Sequence, residues 1–214
     1  MSNLTVYQVY DLLNRPRPLW LVKINLSDMS LWMADLSECN ISHSDLTRCD
    51  LSWANLYKTQ LIKVNFNQAN LFEAQLVQAN LFGANLTRAN LTRANLDRAN
   101  LDGAMIVEAN LSRAVLSRVN LNRANLSGSI LSRADLGKSD LVGANLHSAN
   151  LAHANLFEAD LTGADLRHAN FENTDLTGAD LTGANLRGTQ FINVDLSNAI
   201  MPEDHKESQI DLSR

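Results

Sequence analysis

Ala79 to Asn100 reads ANLFGANLTRANLTRANLDRAN, which is Ala-Asn-Leu-x-x repeated without a gap. Working outward from it, a bulky apolar residue stands at every fifth position from Leu26 to Leu196, making 35 units. Thirty of these residues are Leu; the others are Ile41, Phe66, Ile106, Phe171 and Phe191. Two places earlier stands a small side chain, Ala in 22 of the 35 units. One place earlier stands Asn in 18 units and Asp in 10. The two places after the Leu are mostly polar.

A period of five fits neither the 3.6 of a helix nor the 2 of a strand. Within one unit, however, the Ala and Leu places are two apart, so a short extended segment turns both to one side. Three outward residues follow before the next pair, so the chain must bend between units. Repeated bends of about 90° close a turn in roughly four units, and successive turns stack at roughly the 4.8 Å strand spacing. Leu then fills the axis, the small residue lets neighbouring walls approach, and stacked Asn side chains form amide ladders along the tube. Asn and Asp are expected at the bends, because they bond local backbone and tolerate unusual φ.

The A-(D/N)-L-x-x pattern resembles the pentapeptide repeat family, over Asn25 to about Ala199. The resemblance implies an all-β fold: a right-handed quadrilateral β-helix of about nine four-unit coils, roughly 40 Å long. Members are especially numerous in cyanobacteria, and most have no assigned activity. A few resemble B-form DNA in shape and charge and bind DNA gyrase.

Three segments are expected: a lead-in over 1–24, the repeat over 25–199 and a polar tail over 200–214. Val6, Val9, Tyr10, Leu12 and Leu13 recur at helical spacing, which predicts a short amphipathic helix over Thr5–Asn14, ended by Pro16 and Pro18. An open β-helix end exposes apolar core and unpaired backbone, so this helix is expected to cap it. No apolar run is long enough to span a membrane, and no secretory signal is evident. Cys39 and Cys49 both take the small inward place, where Cys acts as a small hydrophobe. Together these features predict a reduced, cytoplasmic setting.

The outer surface changes character along the chain. Trp32, Met33, Trp53, Tyr57, Ile62, Phe72, Val77 and Phe82 occupy outward places near the start. With a twenty-residue coil, Trp32 and Phe72 stack on one side with Trp53 beside them, a candidate contact patch. Alternatively, the N-terminal segment folds over part of it. From Leu81 to Arg133, seven Arg face three acidic residues. Arg93, Arg113 and Arg133 fall in one column; Arg98, Arg118 and Lys138 fall in another. These columns are either a docking strip for an acidic partner or nucleic acid, or a solvated face that keeps the rod soluble. From Ala134 onward, thirteen acidic residues face five basic ones. Met105, Val115 and Ile130 replace Asn or Asp without an evident reason.

No phosphate loop, Cys-x-x-Cys or His-Glu-x-x-His motif is present, so no catalytic, cofactor or metal residue is assigned. His147 and His168 are expected on one face in adjacent coils with Arg167 beside them, too few ligands for a zinc site. The rows of Asp are what the repeat dictates and do not mark an acid/base pair. The expected function is a non-enzymatic scaffold that binds a protein partner, whose identity the chain does not reveal. One alternative is a DNA mimic acting on gyrase, which needs negative potential along the whole rod; the basic middle breaks it. A second is anion or nucleic-acid binding through the Arg columns.

Overall fold

The computed structural model describes residues 6–16 and 18–203. Helix α1 spans Val6–Leu13. It lies inside the predicted Thr5–Asn14, of which Thr5 is outside the described residues. From Trp20 to Ile200 every β-bridge is parallel and joins a residue to the one twenty places on. The molecule is therefore an all-β solenoid with twenty residues, or four units, to each coil. The first bridge falls at Trp20, one unit before Asn25, where the repeat becomes legible. Trp holds the Asn place there, and Leu19 and Leu21 are already buried. Residues 204–214, most of the expected tail, lie outside the described residues.

Inside, the pattern is obeyed closely. Leu36 to Leu181, with Ile41, Phe66, Ile106 and Phe171 among them, are at most 1 % exposed, and the Ala between them pack in the same core. Val9 of α1 is buried with them. Where the small place holds a hydroxyl, the neighbouring coil usually accepts its hydrogen. Ser44, Thr59, Thr174 and Thr189 donate to the carbonyls of Leu21, Leu36, Leu151 and Leu166 at 2.8–2.9 Å. Cys39 and Cys49 are both buried. Burial pushes the Cys49 thiol up to about 12, as suits a packing residue rather than a reactive one.

A unit with Asn or Asp in its bridge place accounts for all five of its backbone donors, as a stacked wall favours. Taking residues 91–95, Leu91 and Arg93 donate to Asn110 and Ser112 of the next coil, at 2.7 and 3.0 Å. Asn95 donates back to Ala74 at 2.9 Å, and Ala94 closes a β-turn on Leu91 at 2.9 Å. Thr92 has no carbonyl to use, and its N–H goes to the Asn90 side chain at 3.2 Å. This role explains why Asn and Asp recur. The ladders also form: Asn90 Nδ2 donates to Asn70 Oδ1 at 2.9 Å, and Asn85 to Asn65 at 3.0 Å.

One expectation is corrected. Asn and Asp do not supply the unusual φ of the bend; they sit at the bridges. The positive φ falls three places after them, once in every five residues from Lys23 to Asn198, and is met far more often by Arg, Lys, Gln, Glu or His than by Gly. Such turns need φ > 0 at their third residue, and a hydrogen bond to the neighbouring coil holds it there. Gly143, Gly163, Gly178, Gly183 and Gly188 also occupy this place.

Met105, Val115 and Ile130 break this pattern. They stand in three different ladders, and each removes the side-chain acceptor for the N–H two residues later. Val107, Ser117 and Ser132 are the donors so affected.

Candidate interaction edge

The two turn residues of each unit form a corner, and twenty-residue coils stack corners into four long edges. One edge collects Trp32 and Met33, then Ser52 and Trp53, Phe72 and Glu73, Thr92 and Arg93, Ser112 and Arg113, and Ser132 and Arg133. The aromatic patch and the first basic column are thus consecutive parts of a single edge.

At its N-terminal end the edge is apolar and open. Trp32 is 58 % exposed, Met33 59 % and Trp53 49 %. The Trp53 and Phe72 rings meet edge-on, with centroids 5.9 Å apart, which braces the cluster. Tyr57 and Phe82 are exposed as well, whereas Ile62, Phe72 and Val77 are half-buried between stacked neighbours rather than fully outward. The described part of the N-terminal segment leaves Trp32 and Trp53 exposed.

Further along, the arginines are held at left-handed corners, with φ 58° at Arg93, 59° at Arg113 and 60° at Arg133. Arg93 reaches Glu73 at 3.0 Å. Arg113 and Arg133 have no carboxylate within salt-bridge distance among the described residues. Arg187 is alone in sharing this among the described arginines; the others form pairs such as Arg48–Asp28 and Arg88–Glu108. Side-by-side hydrogen bonds from Arg48 hold the Asp28 carboxyl below its usual range.

The second basic column is a different object. Asp97 lies between Arg98 and Arg118, 3.7 Å from each, and Lys138 pairs with Glu158 at 3.1 Å. Beside this column runs a shallow outer groove of about 460 Å³, lined by Asp97, Val115, Arg118, Gly137, Lys138 and Phe157 among others. Its charges are satisfied from within. Only the neighbours, not the period, tell the two columns apart.

The acidic third carries the His147–His168 pair, edge-to-face at 5.5 Å. Arg167 turns instead to Asp165, at 2.6 Å, and holds that carboxyl below its usual range. Among the described residues, no group of three or more His, Cys, Asp or Glu is placed to hold a metal. No described helix is long and apolar enough to cross a membrane.

A solenoid of five-residue units with an Ala-Asn-Leu wall defines a repeat protein. The chain belongs to the pentapeptide repeat family: eight copies of the family model match, over residues 34–71, 74–113, 94–133, 109–147, 129–173 and 159–198. Among solved structures it is similar to HetL of the cyanobacterium Nostoc sp. strain PCC 7120, a pentapeptide repeat protein involved in heterocyst differentiation regulation. Identity to HetL is 32 %, with 95 % of this chain and 94 % of HetL covered and a TM-score of 0.79. A pentapeptide repeat protein from the Arabidopsis thaliana thylakoid lumen is 33 % identical over 42 % of this chain and 66 % of its own, with a TM-score of 0.33. QnrB1, a plasmid-mediated fluoroquinolone resistance protein, is 20 % identical over 86 % of this chain and 91 % of its own, with a TM-score of 0.44. No curated protein sequence matches the chain.

Proposed function

We propose that this chain is a non-enzymatic scaffold: a stiff rod that holds a protein partner against its outer surface, in a cytoplasmic setting. In this view it is a right-handed quadrilateral β-helix of about nine coils. The lead-in over 1–24 caps one end through Val9, the repeat runs over 25–199, and 200–214 form a tail. The observation that carries the proposal is the open cluster of Trp32, Met33, Trp53 and Phe72 on a wall whose core is otherwise closed. Contiguous exposed aromatic surface on a rigid support is what protein contacts use.

The test is affinity capture from the cells that make the protein, comparing the full chain with its Trp32→Ser/Trp53→Ser variant. A partner retained by the first and lost from the second supports the proposal. A partner held equally by both, or a turnover activity in the purified chain, contradicts it. Mimicry of DNA toward a type II topoisomerase is disfavoured by the unpaired Arg113 and Arg133, which interrupt any continuous negative strip. The expected result in a gyrase supercoiling assay is no effect of the protein on rate or drug sensitivity.

A further inference from the structure

We infer that the edge from Trp32 to Arg133 is a two-part docking site for an acidic protein segment: apolar side chains meet the Trp32–Trp53–Phe72 cluster, and carboxylates meet Arg113 and Arg133. The inference rests on the scaffold function proposed above and names the chemistry of its partner.

Three independent features of this edge converge. The first is the open aromatic cluster at one end. The second is the pair of arginines without carboxylates, in a chain that neutralises most of its other arginines. Stacked guanidinium groups one coil apart repel, and an incoming anion relieves that repulsion. The third is the backbone. Along this edge the N–H groups of Ser52, Phe72, Thr92, Ser112, Ala152 and Glu172 each donate to the Asp or Asn two places back. Ser132 sits among them with Ile130 in the Asn place, so its N–H has no such acceptor. An N–H without this acceptor therefore stands beside Arg133, one coil from Arg113, and the exposed Ile130 lies two residues before it. Donors of this kind, gathered on one coil and its neighbour, suit a carboxylate.

A protein segment fits better than a nucleic acid. Single strands bind where aromatic and basic groups alternate along a cationic groove. Here the two kinds are separated, with Trp53 three coils from Arg113, or about 14 Å at the strand spacing. Two free arginines on a chain of net charge −5 also supply little of the counterion release that drives phosphate binding. A spacing of about 14 Å is four or five residues of extended peptide.

The test uses the full chain and three labelled probes, followed by fluorescence anisotropy at low salt. The first probe is a synthetic peptide, Leu-Phe-Ser-Gly-Ser-Gly-Glu-Glu-Glu. The second has the same composition with the glutamates set between Leu and Phe. The third is a short oligothymidine. The ordered peptide is expected to bind best. Its affinity should fall about tenfold in Arg113→Ala/Arg133→Ala and in Trp53→Ala, and stay unchanged in Arg98→Ala/Arg118→Ala. Ile130→Asn is expected to separate binding from folding: restoring the acceptor for Ser132 should raise or preserve Tm while weakening the peptide. Equal binding of both peptides, equal loss in both double-arginine variants, tighter binding of oligothymidine, or no peptide binding at all overturns the inference. The capture experiment judges the scaffold function separately. A cellular partner that stays bound to Arg113→Ala/Arg133→Ala leaves that function standing and removes this site.

Discussion

The columns Arg93–Arg113–Arg133 and Arg98–Arg118–Lys138 occupy successive corners of one rod, at the same spacing and over the same coils. In the second, Asp97 lies between two guanidinium groups and Glu158 answers Lys138. In the first, Glu73 answers only Arg93. The period places both columns and supports them on the same wall. What separates them is the residue next door: Thr92 and Ser112 stand beside the first column where Asp97 stands beside the second. Charge on such a rod is thus decided locally, on a frame that is uniform.

The strongest way to break this comparison is through the frame itself. Leu111 lies behind the first column and Leu116 behind the second, both buried. Leu111→Ala and Leu116→Ala are each expected to lower the unfolding free energy by about 2–5 kcal/mol, and by similar amounts. Urea unfolding checks this; a large inequality would mean that the columns rest on different supports.

A smaller effect separates the surfaces. Arg113→Ser should raise Tm by about 1–2 °C at low salt, because it removes self-repulsion. Arg118→Ser, which loses its contact with Asp97, should leave Tm level or lower it. Both differences should vanish near 1 M salt, where the Debye length is about 3 Å. Identical responses would contradict the distinction drawn between the columns.

The smallest effect concerns the acidic third, the inverse of the basic middle. Hydrogen bonds from Arg167, Thr182 and Ser197 hold Asp165, Asp180 and Asp195 below the usual carboxylate range. A folded-state pKa below the unfolded one adds stability above the unfolded pKa, near 3.9, and loses it as pH falls through the folded value. Below about pH 4 the C-terminal coils should loosen first. Limited pepsin digestion is expected to cut beyond Ala159 before it cuts the middle; cleavage starting near Arg113 would contradict this.

Much of the frame was legible in the sequence. Five-residue spacing with paired inward places identified the bore, the twenty-residue coil and the membership of each column, because stacking leaves few alternatives. Helix α1 was legible from apolar spacing at Val6, Val9 and Leu13. The place of the positive φ was not: the turn tendency of Asn pointed to the bridge, whereas hydrogen bonds to the next coil impose the strain on residues such as Arg93 and Lys138. The start at Trp20 was hidden because Trp stands where Asn was sought. At the candidate edge, the alignment of Trp53 with Arg113 could have been read by counting in twenties. The missing acceptor at Ile130 could not, because it requires knowing which N–H the Asn side chain serves.

The register of the coil carries the whole account, and cysteine pairing tests it most directly. Mild oxidation of the full chain bearing Arg93→Cys/Arg113→Cys is compared with that bearing Arg93→Cys/Arg98→Cys. Stacked one coil apart at about 4.8 Å, the first pair lies within disulfide reach, whereas the second stands on different corners. Rapid crosslinking of 93 to 113 and none of 93 to 98 is the predicted result. Faster crosslinking of 93 to 98 would contradict the twenty-residue coil and, with it, the edge.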